Sequence, residues 1–138
     1  TGILPMKKVL LSTLLALLAC TASAEERYIS MRNVDIGMAG QGYCSLVFNL
    51  TASAPFDNPL EVEVGLYNGD EEVYKALMEV KPFGQARANE TQYCFANYPC
   101  DEVTKAKILN VWEIDDGERV QLPREIIVPD NYQPVPVE

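Results

Sequence analysis

Four cysteines, two clusters of carboxylates and a set of aromatic residues at loop positions are the side chains of this 138-residue chain with chemistry to offer. The chain has no histidine, which removes the usual general base and both the Ser-His and Cys-His nucleophile pairs. Its cysteines form no C-x2-C pair, so the common zinc ligand sets cannot be assembled either. The carboxylates of Asp70-Glu71-Glu72 and of Asp115-Asp116-Gly117-Glu118 fall at two hairpin turn signals and read as solvated turn charge. Neither spacing matches a calcium loop in which alternate residues supply oxygens. Asn49-Leu50-Thr51 and Asn89-Glu90-Thr91 match the N-glycosylation pattern and read as chance matches. The set yields no catalytic residue, no metal ligand and no cofactor site, and the expectation is a protein that is not an enzyme.

The cysteines are then structural. An N-terminal segment described below is an export signal, and in an oxidising compartment disulfides persist. Its removal leaves Cys44, Cys94 and Cys100, an odd number, so one thiol is left over or shared with another chain. A bridge from Cys94 to Cys100 closes about seven residues and stabilises by roughly 2.4 kcal/mol of loop entropy; one from Cys44 to Cys94 closes about fifty and stabilises by roughly 4. Proximity favours the short loop. The expectation is Cys94 joined to Cys100, with Cys44 a buried thiol. Among the aromatic residues, Tyr67, Phe83, Tyr98 and Tyr132 fall at strand ends or loops, where such side chains anchor protein contacts, and these four are the candidate partner-binding residues.

The elements that position these residues begin after a leader. Met6-Lys7-Lys8, an apolar run over 9–19 and the small residues Thr21-Ala22-Ser23-Ala24 make the three parts of a secretory signal peptide, with cleavage expected after Ala24. The run is too short to span a bilayer, so no membrane insertion of the mature form is expected. Residues 1–5 read as an upstream remnant and 6–24 as the signal. Leu17-Leu18-Ala19-Cys20 is a rival, lipobox-like reading that would put a lipid on Cys20. Cleavage leaves 114 residues, one domain's worth, with nine basic against twenty acidic residues and a net charge of −11. That balance excludes nucleic acid and anionic membranes, both of which need a basic footprint, and favours a basic protein surface.

Residues 43–51 alternate Cys44, Leu46, Phe48 and Leu50 against Tyr43, Ser45, Asn49 and Thr51, the pattern of a central strand with one face in a core. Residues 60–67 alternate more cleanly still, and Asn68-Gly69 signals a hairpin, read as a type I′ turn, into a return strand over 71–80. The helical spacing of Val73, Ala76, Leu77 and Val80 competes there, but a helix would leave the hairpin without its second arm. A weakly patterned first strand over 26–37 is expected at a sheet edge. Further strands are expected over 91–98, 105–114 and 119–128, the last interrupted by Pro123. Residues 105–114 are apolar on both faces, as for a strand buried on both sides or one at a dimer contact. Seven strands without an amphipathic helix predict an all-β, seven-stranded immunoglobulin-like sandwich of fibronectin type III type over 25–128, followed by an extended C-terminal tail over 129–138.

Taken together, Met6-Lys7-Lys8-Val9-Leu10-Leu11, Gly42-Tyr43-Cys44-Ser45-Leu46-Val47-Phe48, Gly65-Leu66-Tyr67-Asn68-Gly69-Asp70 and Tyr93-Cys94-Phe95-Ala96-Asn97-Tyr98-Pro99-Cys100 give a chain that resembles the interleukin receptor mimic family. These are small secreted proteins of pathogenic Escherichia coli. The resemblance spans the mature chain and implies a fibronectin type III-like fold, a homodimer formed by strand exchange, and binding of host interleukins in the manner of a cytokine receptor domain. Phe48 stands where the general fibronectin pattern has Trp, and residues 105–114 carry Trp112 but no Tyr, so particular binding residues do not carry over. Secretion or display at the cell surface, after periplasmic passage, is the implied location, with a hinge for exchange at 81–85 or 54–59. The rival class is a periplasmic or fimbria-associated structural or assembly sandwich.

Overall fold

Alternation sets the centre of each of two sheets. A computed structural model of the protein describes residues 27–130 and 134–138; the leader, Cys20 and Tyr132 lie outside the described residues. β1 (Ile29–Gly40), β2 (Tyr43–Ala52), β5 (Asn89–Ala96) and β8 (Ile127–Pro129) form one sheet in the order β5-β2-β1-β8. β3 (Leu60–Asn68), β4 (Glu71–Val80), β6 (Lys105–Asp115) and β7 (Glu118–Leu122) form the other in the order β4-β3-β6-β7. The inward residues Cys44, Leu46, Phe48 and Leu50 of β2 face Leu60, Val62, Val64 and Leu66 of β3, and none is more than 1% exposed. Burial of each Leu or Phe in such a core contributes about 2 kcal/mol relative to exposure.

The all-β sandwich is as expected, but it has eight strands, not seven. Pro123 is the reason. It has no N–H for the ladder, so β7 stops at Leu122 opposite Val111, and a short 3-10 turn over Arg124–Ile126 carries the chain across to the first sheet. There Ile127–Pro129 runs parallel to the start of β1. β1 is therefore not an edge strand as its weak pattern suggested; it lies between β2 and β8, with bulges between Asn33 and Asp35 and between Met38 and Gly40.

The turns follow residue chemistry. Residues 71–80 form a strand paired with β3, as the hairpin signal required. Positive φ occurs at Gly69 but not at Asn68, so the turn is Gly69-Asp70, with glycine in the first central position of type II′, not the expected type I′. Asp116 and Gly117 both have positive φ and make the type I′ pair at the β6–β7 turn.

Residues 134–138 cover the part of β6 that β7 leaves unpaired. Ala106 and Ile108 donate backbone N–H groups to Pro136 and Glu138, and Glu138 donates back to Ala106, so the segment runs beside β6 where β7 has ended. Val135 and Val137 are buried. Asn33, a fully buried polar side chain in the β1 bulge, donates to the carbonyls of Asp35 (2.9 Å) and Val47 (3.1 Å) and accepts from the Val135 N–H (3.2 Å). At the same bulge, then, a single amide ties β1 to β2 and to the C-terminal segment.

Candidate protein-binding surface

Three connections meet at one end of the sandwich. Cys44, at the start of β2, is bonded to Cys100, in the 3-10 turn Cys100–Glu102 between β5 and β6. The Gly69 N–H donates to the Thr104 hydroxyl at 2.8 Å, and the Thr104 N–H to the Tyr67 carbonyl at 2.8 Å, so the β3–β4 turn is fixed to the same crossing. This corrects the expected Cys94–Cys100 bridge. β5 runs antiparallel to β2 with Cys94 opposite Leu46 and Ala96 opposite Cys44, so Cys94 is held in the strand while the turn at Pro99 brings Cys100 back over the start of β2. Cys94 is the free, buried thiol, and burial pushes its pKa from 9.0 up to about 11.

Of the four candidate aromatic residues Tyr132 lies outside the described residues, and the other three are not brought together. Tyr67 lies flat on the outer face of the second sheet, over Gly65, with Lys107 and Lys105 ammonium groups 4.8 and 5.5 Å from its ring centre. Tyr98 is half-buried against the core at the crossing. Phe83, expected at an exposed loop, is fully buried: its backbone pairs with that of Phe56 (2.8 and 3.0 Å), and the two rings meet edge to face at 6.1 Å. Two proline-containing loops that look exposed in sequence pair with each other and send both phenyl rings into the base of the core.

On the outer face of the second sheet polar side chains pair across neighbouring strands, while Leu77 and Val120 stay exposed on its two edge strands. Glu61 accepts from Arg119 at 2.7 Å, and the Arg119 guanidinium covers Trp112 at 4.5 Å. Glu63 accepts from Asn110, which accepts from Gln121. Leu109, Trp112 and Ile114 are only partly exposed, so the apolar outer side of residues 105–114 is covered from within its own sheet to that extent.

On the first sheet the outer face is different. Tyr93 and Phe95 on the edge strand β5 are 57% and 55% exposed, with near-parallel rings 6.3 Å apart. Tyr93 stands opposite Val47 and Phe95 opposite Ser45, and Tyr43, 42% exposed, follows Ser45 on the same face of β2. These residues were not singled out from the sequence. The available signal was the alternation of Tyr93 and Phe95 against Cys94 and Ala96, and hydrophobicity alone would turn the larger pair inward.

Sequence comparison decides the family. The model of interleukin receptor mimic protein A matches residues 29–129, which spans all eight strands and most of the chain. The chain belongs to the interleukin receptor mimic protein A family. A solved structure from the structural characterization of IrmA from Escherichia coli is similar at a TM-score of 0.68 and 25% identity, over 79% of this chain and 96% of that one. A GH20 exo-β-N-acetylglucosaminidase from Vibrio harveyi, in complex with N-acetylglucosamine, shares 12% identity at a TM-score of 0.36, over 81% of this chain and 18% of that one, too slight a likeness to bear on chemistry. No curated protein matches the chain. The family name describes a receptor mimic, a binding and not a catalytic role. Among the described residues no group of three or more His, Cys, Asp or Glu is placed to hold a metal ion, and no helix is long and apolar enough to cross a membrane.

Proposed function

We propose that this member of the interleukin receptor mimic protein A family is an exported, non-enzymatic protein that binds host interleukins in the manner of a cytokine receptor domain, and that it works as a strand-exchanged homodimer. The family match over residues 29–129 carries the reading. Three features support it. The loops at one end are locked by a disulfide and by backbone hydrogen bonds, which reduces the ordering that binding would otherwise require. The net charge of −11 left after cleavage of the leader favours encounter with a basic protein surface. The leader pattern over 6–24 directs the chain to the compartment where Cys44–Cys100 forms.

For the dimer, both proline-containing connections, 54–59 and 81–85, are pinned to one another through Phe56 and Phe83. Exchange would remake that pair between copies, so its free energy is set mainly by the connection that opens. Two linked domains would then present two sites, and avidity would strengthen weak single contacts. Cell fractionation and binding to a panel of purified recombinant interleukins test the proposal together. The expected result is protein in the culture supernatant or on the surface, cleaved after Ala24, that binds at least one interleukin. Confinement to the periplasm with no interleukin bound would favour an assembly factor of the envelope. Light scattering is expected to give twice the mass of the mature chain with reductant present; a monomer that binds with full strength would refute the exchange.

A further inference from the structure

We infer that the outer face of the first sheet, formed by Tyr43, Val47, Tyr93 and Phe95, is where the protein partner docks, and that the partner brings an apolar patch rimmed by basic side chains. The inference rests on the reading of the chain as a binding protein and gives that reading a place. Outward positions of an antiparallel sandwich strand are ordinarily polar, and Ser45, Asn49, Thr51 and Thr91 follow that rule on these two strands. Tyr93 and Phe95 break it side by side on an edge strand, where the sheet has no further strand to cover them.

The geometry beside the rings is that of a shallow seat. Phe95 stands opposite Ser45 and Ser45 opposite Gly37, so small residues form the floor next to one ring. Tyr93 stands opposite Val47 and Val47 opposite Asp35, with Val34, 42% exposed, in the bulge between Asn33 and Asp35. On the second sheet the one indole is covered by Arg119 and the carboxylates Glu61 and Glu63 have cross-strand partners. The second sheet's indole and carboxylates are thus engaged by their neighbours, with Leu77 and Val120 exposed on its two opposite edge strands, whereas the first sheet presents a pair of adjacent rings to solvent. Rigid aromatic side chains at such a position supply contact area at low ordering cost and are the residue types on which binding energy concentrates.

Charge selects the occupant. Asp35 lies within the face, Asp101 and Glu102 lie at the end of the sheet where Cys100 is bonded to Cys44, and Arg32 is the cation of the next row, opposite Asn49. The chain without its leader carries −11. Two copies docked through this face would bring like charge together, whereas a partner with a basic rim gains at each carboxylate.

The test compares the wild type, the double variant Tyr93→Thr/Phe95→Thr, and Val120→Thr on β7 of the second sheet, using a panel of purified recombinant interleukins, scattering mass and urea midpoints. Threonine suits an exposed strand position, so the midpoints are expected to stay together. The wild type is expected to bind at least one interleukin, more weakly as salt rises. The double variant is expected to lose roughly hundredfold in affinity, and Val120→Thr less than about threefold. If the wild type binds and the double variant binds equally, the inference is overturned while the function stands. A halved mass for the double variant would make the face an interface between copies and overturn it too. Salt-independent binding would remove the basic rim. If the wild type binds no interleukin, the functional reading falls and the assignment of this face falls with it.

Discussion

Reduction of Cys44–Cys100 should cost this fold far more than loss of the short bridge that proximity in sequence suggests. The two cysteines are 56 residues apart, and the loop-entropy relation gives about 4 kcal/mol for a loop of that length, against roughly 2.4 kcal/mol for the loop between Cys94 and Cys100. The bridge fastens the crossing from β5 to β6, which links the two sheets, onto the start of β2 in the first sheet. The cleanest assay is urea unfolding of a Cys94→Ala chain with and without reductant. That background removes the only other described thiol and so prevents exchange, while reduction leaves Cys44 in the core and Cys100 packed against it. A loss of about 4 kcal/mol at an increased m-value is expected, since the reduced unfolded chain is less compact. For a domain of this size it corresponds to a fall in Tm on the order of 15 °C. A loss below about 1.5 kcal/mol, or a non-reduced peptide map of the wild type joining Cys94 to Cys100, would refute the pairing and the account of the loop end built on it.

Asn33→Ala removes one hydrogen bond within the β1 bulge and one from β1 to β2, and leaves the buried Val135 N–H unpartnered; a loss of about 3 kcal/mol is expected in urea unfolding. Hydrogen exchange should quicken first at Val135 and Ala106, and a uniform quickening across both sheets would contradict the local tie. The raised pKa of Cys94 favours its neutral form in the folded state. Its contribution is therefore level below about pH 9 and declines as the pH rises towards about 11, by roughly 3 kcal/mol at most. Comparing wild type with Cys94→Ala across that range checks it, and identical slopes for the two chains would contradict it.

Periodicity made the centre of the fold legible. Cys44, Leu46, Phe48 and Leu50, with Leu60, Val62, Val64 and Leu66, announce two half-buried strands, and the hairpin at Gly69 settles residues 71–80 against their helical spacing. What lay beyond the sequence depends on contacts between distant segments. Pro123 was visible as an interruption, but only the start of β1 gives residues 127–129 a sheet to enter. Phe83 lies in a polar, proline-containing loop and is buried because Phe56 sits opposite it. The disulfide partner of Cys44 was hidden because loop length argues for the nearest cysteine, whereas strand direction places Cys100 over β2. The exposed pair Tyr93 and Phe95 was obscured for a similar reason. The inward choice on β5 is made by the register with Cys44 and Leu46, which puts the smaller Ala96 and Cys94 into the core and the rings outside.

The most direct test of the central claim is a calorimetric titration of the purified mature chain, residues 25–138, against individual recombinant interleukins in physiological salt. Saturable binding to at least one of them is expected, with a negative heat-capacity change from burial of the aromatic face and weaker binding at higher salt. Absence of binding to every interleukin tested, by a chain whose Cys44–Cys100 bridge is confirmed by peptide mapping, would contradict it.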